Sequence, residues 1–185
     1  MDVINGDKFF IDLERQISDK YSEPLAAQLV SFSRKVFDLA TLDELGDEPV
    51  AKVLKFLQHF LKLTKKIDLN NPKVKISCPT VESCVSGTEI FIIQRDMPFL
   101  VDSVRIELNR RGINIQTIKS TILNVIRDDG GTLVSAFADP DEPKSCKEAL
   151  IFLNVEFHGS IEEQQDLINS ICLLYTSDAA DEEDS

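Results

Sequence analysis

The sequence predicts an α+β protein: an N-terminal helical segment followed by a ferredoxin-like βαββαβ unit that lacks its last strand. Apolar residues recur every three or four positions through the first third of the chain, the period of an amphipathic helix. From Glu89 the order reads strand, helix, strand, strand, helix, which is βαββαβ one strand short. A length of 185 residues with 43% hydrophobic content suits a domain with an appendage and a real core.

The first helix is carried by Phe9, Phe10, Leu13, Ile17 and Tyr21. Ser22, followed by Glu23 and Pro24, reads as the cap and first turn of a second helix, continuing through Leu25, Leu29, Phe32, Val36 and Leu39 to about Ala40. Thr41 and Glu44 stand at capping-box spacing before Gly46. Asp47 and Pro49 open a third helix, with Val50, Val53, Leu54, Leu57, Phe60 and Leu61 as its stripe and Lys62, Lys65 and Lys66 at its end. Acids interspersed among the bases favour core packing over a membrane-surface role. Residues 1–66 therefore form the helical region, and 67–88 a connector with one short strand, KVKIS, at 73–77.

The incomplete βαββαβ unit covers residues 89–171. EIFII at 89–93 is a buried strand. Asp96 and Pro98 begin a helix in which Leu100, Val101, Val104 and Leu108 face one way, and Gly112 ends it. Residues 113–128 form a long strand whose alternation changes phase near Thr117 and Ile118, predicting a bulge. Asp129-Gly130-Gly131 is a hairpin turn, 132–138 a returning strand, 139–146 a loop and ALIFLNVEF at 149–157 a strong strand. Ser160 and Glu163 cap a last helix ending at about Ile171. In this topology the missing strand lies beside the first, so its loss predicts an open flank on EIFII and a tendency to aggregate.

Residues 172–185 differ from the rest. Cys172 to Asp181 match, without a gap, the translation of a sequencing-library transposase adapter, and the tail is expected to be non-native. The whole chain has 20 bases against 32 acids, a net charge of −12; without the tail the balance is 20 against 27, or −7. Either balance disfavours nucleic acid as a partner, since that needs a basic face. No apolar run reaches the ~20 residues of a membrane span, and no signal-peptide pattern opens the chain, so the expectation is a cytoplasmic protein without a membrane partner. Cys78, Cys84, Cys146 and Cys172 have no CxxC spacing and only His59 and His158 could join them, so free thiols and no metal are expected.

No nucleotide, nucleophile-elbow or metalloprotease motif occurs. Asp128-Asp129-Gly130-Gly131 lacks the other ligands of a calcium loop and reads as a plain turn, and Lys65-Lys66 and Arg110-Arg111 as solvated helix ends. Asp96 reads as a helix-start residue rather than half of a carboxylate pair with Asp102.

The most informative stretch is residues 94–115, QRDMPFLVDSVRIELNRRGINI. Its outer pattern, Asp-x-Pro-x-Leu, a helix and Gly-Ile-x-Ile, resembles an ACT domain, the small regulatory module of amino-acid metabolism. Its inner pattern, DMPFLVDSV with LNRRG, resembles the N-terminal region of the very large bacterial NAD-specific glutamate dehydrogenases. The resemblance spans Phe32 to Ile171, with 94–112 the specific part. It implies an ACT-like regulatory or assembly portion of such an enzyme, whose NAD-binding and catalytic parts lie far downstream. No catalytic, cofactor-binding or metal residue is therefore assigned to this chain, and NAD belongs to the parent enzyme by resemblance. The implied partners are the remainder of the parent chain, further copies in a homo-oligomer, and an amino-acid effector. ACT domains often hold an amino acid at this helix start, where backbone N–H groups are exposed. Asp96, Met97, Phe99, Asp102 and Ser103 are the candidate ligand or interface residues. Phe99 replaces the usual glycine after the proline and is expected to fill the pocket, so packing or subunit contact is preferred over binding. The alternative is a stand-alone ACT-like amino-acid sensor.

Overall fold

The computed structural model describes residues 6–37, 49–77 and 87–181, with side chains through Tyr175. The expected capping box at Thr41 and Glu44, and Leu39, Ala40, Gly46 and Asp47, lie outside the described residues. The chain divides into two compact units, Met1–Lys65 and Lys66–Ser185.

The first unit contains α1 (Gly6–Lys20), α2 (Leu25–Val36) and α3 (Pro49–Thr64). Each buries the stripe its sequence period requires: Phe9, Phe10, Leu13 and Ile17 in α1, Leu29 and Phe32 in α2, Val53, Leu57 and Phe60 in α3. The Arg34 guanidinium lies 4.4 Å from the centre of the Phe10 ring, and Phe32 stacks on Phe60 at 4.7 Å. The buried hydroxyls of Ser33 and Thr64 donate to the carbonyls of Leu29 and Phe60, four residues back. Ser22 does not cap α2 with its side chain. Pro24 takes the cap position, and Ser22 contributes its backbone carbonyl to the Ala26 N–H at 3.2 Å.

The second unit is a five-stranded antiparallel sheet with two helices. Its strands are β1 (Lys73–Ser77), β2 (Thr88–Arg95), β3 (Asn114–Arg127), β4 (Leu133–Ser135) and β5 (Ser145–Glu156), in the order β1-β2-β5-β3-β4. The helices are α4 (Leu100–Arg110) and α5 (Ile161–Asp181). Residues alternate between the two faces of a strand. Ile90, Ile92, Ala149, Ile151, Leu153 and Val155 thus share one core with Leu100, Val104 and Leu108 of α4 and Leu167, Ile171 and Tyr175 of α5. The opposite-phase residues Phe91, Ile93 and Leu150 are buried as well, which is why β2 reads as a continuous apolar run rather than an alternating one. The β3 bulge falls at Gln116, between the Ile115–Val155 and Thr117–Asn154 pairs.

The expected open flank on β2 does not exist. β1 pairs along it in antiparallel register, with Val74 opposite Ile92 and Ile76 opposite Ile90. The place of the strand that would follow α5 is held by one that precedes β2. The aggregation expected from an open edge there loses its structural basis.

Three boundaries also shift. β5 begins at Ser145, inside the expected loop, because Cys146 and Glu148 pair with Val125 and Leu123 of β3. β4 is only three residues long; beyond it the Ala138 N–H still reaches the Asn124 carbonyl at 2.8 Å without a regular ladder. α5 opens on a reciprocal capping box, Ser160 N–H to Glu163 Oε2 at 2.7 Å and Glu163 N–H to Ser160 Oγ at 3.3 Å, but runs past Ile171 to Asp181. Tyr175 is 2% exposed, and its hydroxyl donates to the Leu100 carbonyl at 2.8 Å.

The β3–β4 turn is fixed from both sides. Asp128 accepts the N–H groups of Gly130 and Thr132 at 2.9 and 2.8 Å. Gly131 has φ +78°, and a Cβ there would lie 2.1 Å from the Ile67 carbonyl oxygen. Its own carbonyl accepts the Ile67 N–H and Arg127 Nη1, each at 3.1 Å. Arg127 also grips Glu148 with two bonds, 2.5 and 2.8 Å, both side chains being almost wholly buried. Arg127→Ala would leave the Glu148 carboxylate buried and uncompensated, with an expected stability loss of about 3–5 kcal/mol. Urea unfolding of the two chains checks this; a loss near zero would show that the pair is not desolvated as described.

Candidate functional site

The helix start that carries the five candidate residues is built by β2 leaving the sheet. The Asp96 N–H donates to the Lys147 carbonyl at 2.9 Å, holding the chain to β5 for one residue after β2 ends. Pro98 follows, and Phe99 takes the N-cap position of α4 with φ 63° and ψ 11°, a left-handed conformation that disfavours side chains with a Cβ. Its carbonyl accepts the first helical bond, from the Ser103 N–H at 2.9 Å. Asp96 therefore lies too early to cap α4, and no side chain makes a cap hydrogen bond there.

Phe99 does not fill a pocket: it is 76% exposed. The physical reason is its backbone. The left-handed turn aims the ring away from the sheet, whereas Met97, two residues earlier, packs against the core and accepts a 3.7 Å contact from Gln94 Nε2 on its sulfur. Asp102 is exposed, and Asp96 and Ser103 are half-buried. The five residues thus share one short segment at the start of α4. Two open cavities of the second unit lie elsewhere. One, of about 540 Å³, is lined by residues 66–73 with Asp129 and Gly130. The other, of about 740 Å³, lies between the end of α4 and the start of α5 and includes Arg111, Glu156, His158 and Asp166.

The polar centre missed in the sequence is Glu107. Its carboxylate, buried on α4, accepts Arg110 twice at 2.8 Å, Arg111 at 2.6 Å and the Ser170 hydroxyl of α5. Arg111 also binds Asp166 of α5 at 2.7 Å. Arg111, bonded to both Glu107 and Asp166, thus clamps the two helices together, whereas Arg110 bonds only Glu107 on its own helix and stays largely exposed, as a solvated helix end does. The signal was present: Glu107 precedes two arginines by three and four residues, the spacing of neighbours on one helix face. The hydrogen bonds from Arg110 and then from Arg111 and Ser170 hold the Glu107 carboxyl at about 2, against the opposing effect of burial.

Among the described residues no group of three or more His, Cys, Asp and Glu is placed to hold a metal. No described helix is long and apolar enough to cross a membrane. Cys146 and Cys172 are half-buried thiols whose pKa burial pushes up, and Cys78 and Cys84 lie outside the described residues.

The sequence model described as "Glutamate dehydrogenase, ACT1 domain" matches residues 32–171. The chain is similar to the NAD-specific glutamate dehydrogenase of Halomonas elongata, 30% identical over 170 residues, covering 87% of this chain and 10% of that protein. It is also similar to the NAD-specific glutamate dehydrogenase of Pseudomonas aeruginosa, 28% identical over 148 residues, covering 78% of this chain and 9% of that protein. The chain therefore spans about a tenth of the length of the curated relatives it matches.

Two outcomes are expected. The Glu107 pKa is depressed on folding, from an ordinary 4.5 to about 2, so its contribution to stability is complete above about 4.5 and disappears as pH falls through about 2. Urea midpoints measured from pH 6 to pH 2 should drop less steeply for Glu107→Gln than for the unaltered chain; parallel curves would remove the clamp. Phe99→Gly relieves a left-handed residue and sacrifices almost no burial, so unfolding should become harder by about 1 kcal/mol. A clear destabilisation would mean that the ring makes a contact in solution.

Proposed function

Because the chain belongs to the glutamate dehydrogenase ACT1 domain family, we propose that it is the N-terminal regulatory or assembly portion of an NAD-dependent glutamate dehydrogenase. The observation that carries this reading is the match over residues 32–171, joined to relatives about ten times longer than the chain. Oxidation of glutamate to 2-oxoglutarate, with NAD as the acceptor, is the parent's reaction in the cytoplasm. This segment supplies no catalytic, metal or NAD-binding residue to it.

Within that role, subunit or interdomain contact is preferred to amino-acid binding. An aromatic side chain held outward on a backbone conformation that favours glycine suits a contact anchor. Neither of the two open cavities described in the second unit is lined by any of the five helix-start residues. Further copies of the parent, in a homo-oligomer, and the remainder of its chain are the partners this reading implies. The stand-alone amino-acid sensor is the weaker reading, given the length of the relatives.

Residues 172–185 are proposed to be the translated adapter. The family match ending at Ile171, the residue before the adapter-like string, supports this. Re-amplifying the locus from source DNA tests it, and codons for the same tail would refute it.

The purified chain should produce no NADH from glutamate and NAD; measurable turnover would overturn its non-catalytic assignment. Calorimetry with a panel of amino acids should give no binding heat, and a saturable heat for one of them would restore the sensor reading.

A further inference from the structure

We infer that two copies of this chain join edge to edge through β3, antiparallel about a twofold axis at Ser120, so that their sheets run on as one. The inference rests on the homo-oligomer proposed above and names the strand that joins the copies.

The edge is open. β5 pairs with one side of β3 from Asn114 to Ile126. On the other side β4 pairs only with Ile126 and Arg127, and past it the Asn124 carbonyl accepts the Ala138 N–H at 2.8 Å. Backbone groups of alternate residues in a strand point to the same side. The N–H and C=O groups of Ile122, Ser120 and Ile118 therefore point outward with that carbonyl, and no described strand pairs with them. Beyond them the bulge at Gln116 breaks the alternation. An exposed row of strand donors and acceptors is a template for another strand. Lysine is a common guard against such pairing. β1, at the opposite edge of the sheet, carries Lys73 and Lys75, whereas the stretch from Ile118 to Ile122 has Lys119 alone.

A second copy fits this stretch in one register. Ala138 closes it at Asn124 and the bulge closes it at Gln116, so Ser120 is its centre. A twofold axis there sets Ile118 opposite the partner's Ile122, and Lys119 opposite the partner's Thr121. Ile118 and Ile122 lie on the sheet face that carries α4 and α5, since they pair with Leu153 and Ala149 of that core. Ile118 already packs against the core, while Ile122 is 55% exposed; the pairing extends the core over it. Moving the axis to Lys119 sets two ammonium groups directly opposite each other, which is destabilising. Moving it to Thr121 runs Ile118 into Asn124, whose carbonyl is taken. Docking β3 on the partner's β1 would leave a free edge at each end and produce an open polymer.

The test is sedimentation of the purified chain over a range of concentrations, with residue-resolved amide exchange on the same samples. A dimer should form. Its dissociation on dilution should speed exchange at Ile118, Ser120 and Ile122 by about tenfold or more, while Thr117, Lys119 and Thr121, which face β5, stay as they are. Ser120→Pro removes one outward N–H from each copy and leaves the β5 ladder alone, so it should weaken the dimer at least about tenfold. Ile122→Lys, at an exposed position, should weaken it too, with the amides facing β5 still protected. A dimer indifferent to both substitutions would place the junction elsewhere, which overturns this inference and leaves the homo-oligomer reading intact. A monomer at every concentration would overturn both, and growth past a dimer would overturn the twofold junction.

Discussion

β5 is hydrogen-bonded on both sides, to β2 over Thr88–Arg95 and to β3 over Asn114–Ile126, and the second unit depends on that double pairing. Its alternate residues Ala149, Ile151, Leu153 and Val155 form the floor on which α4 and α5 sit. Its remaining residues bury Leu150 and place Glu148 beneath Arg127. The ion pair is costly to build, because two charges leave water. Its partners are nevertheless satisfied: Arg127 also reaches the Gly131 carbonyl, which in turn accepts the Ile67 N–H. One polar chain therefore runs from the central strand through the β3–β4 turn to the segment that precedes β1.

The helices were legible because their stripes are long and regular; α1 buries Phe9, Phe10, Leu13 and Ile17, the very period that marks them. The capping box at Ser160 and Glu163 was equally plain, since both its bonds are local. What was not legible depends on distant partners. Glu148 falls between the expected loop at 139–146 and the expected strand at 149–157, and its place inside the sheet depends on Arg127, 21 positions away. β1 was recognisable as a strand at 73–77, but its place beside β2 was not. Strand propensity is local, and pairing is a choice among edges.

The helix-start segment shows the same division. DMPFL and LNRRG identified the family, and the match over residues 32–171 agrees with that resemblance. The direction of the Phe99 ring was not readable, because it follows from a backbone angle of +63° rather than from the side chain's liking for apolar surroundings. The function of Glu107 as the junction of α4 and α5 was hidden for another reason. Two of its partners, Arg110 and Arg111, lie within four residues, but the third, Ser170, lies on α5, 63 positions away.

The position of β1 also has a consequence for synthesis. A βαββαβ unit whose edge strand comes last cannot complete its sheet until its whole length has left the ribosome. Here the edge strand is made first, about a dozen residues ahead of the strand it flanks, and the sheet is complete once β5 emerges. Because domains form as units in the order in which they are made, this one can close its sheet as soon as β5 has been made.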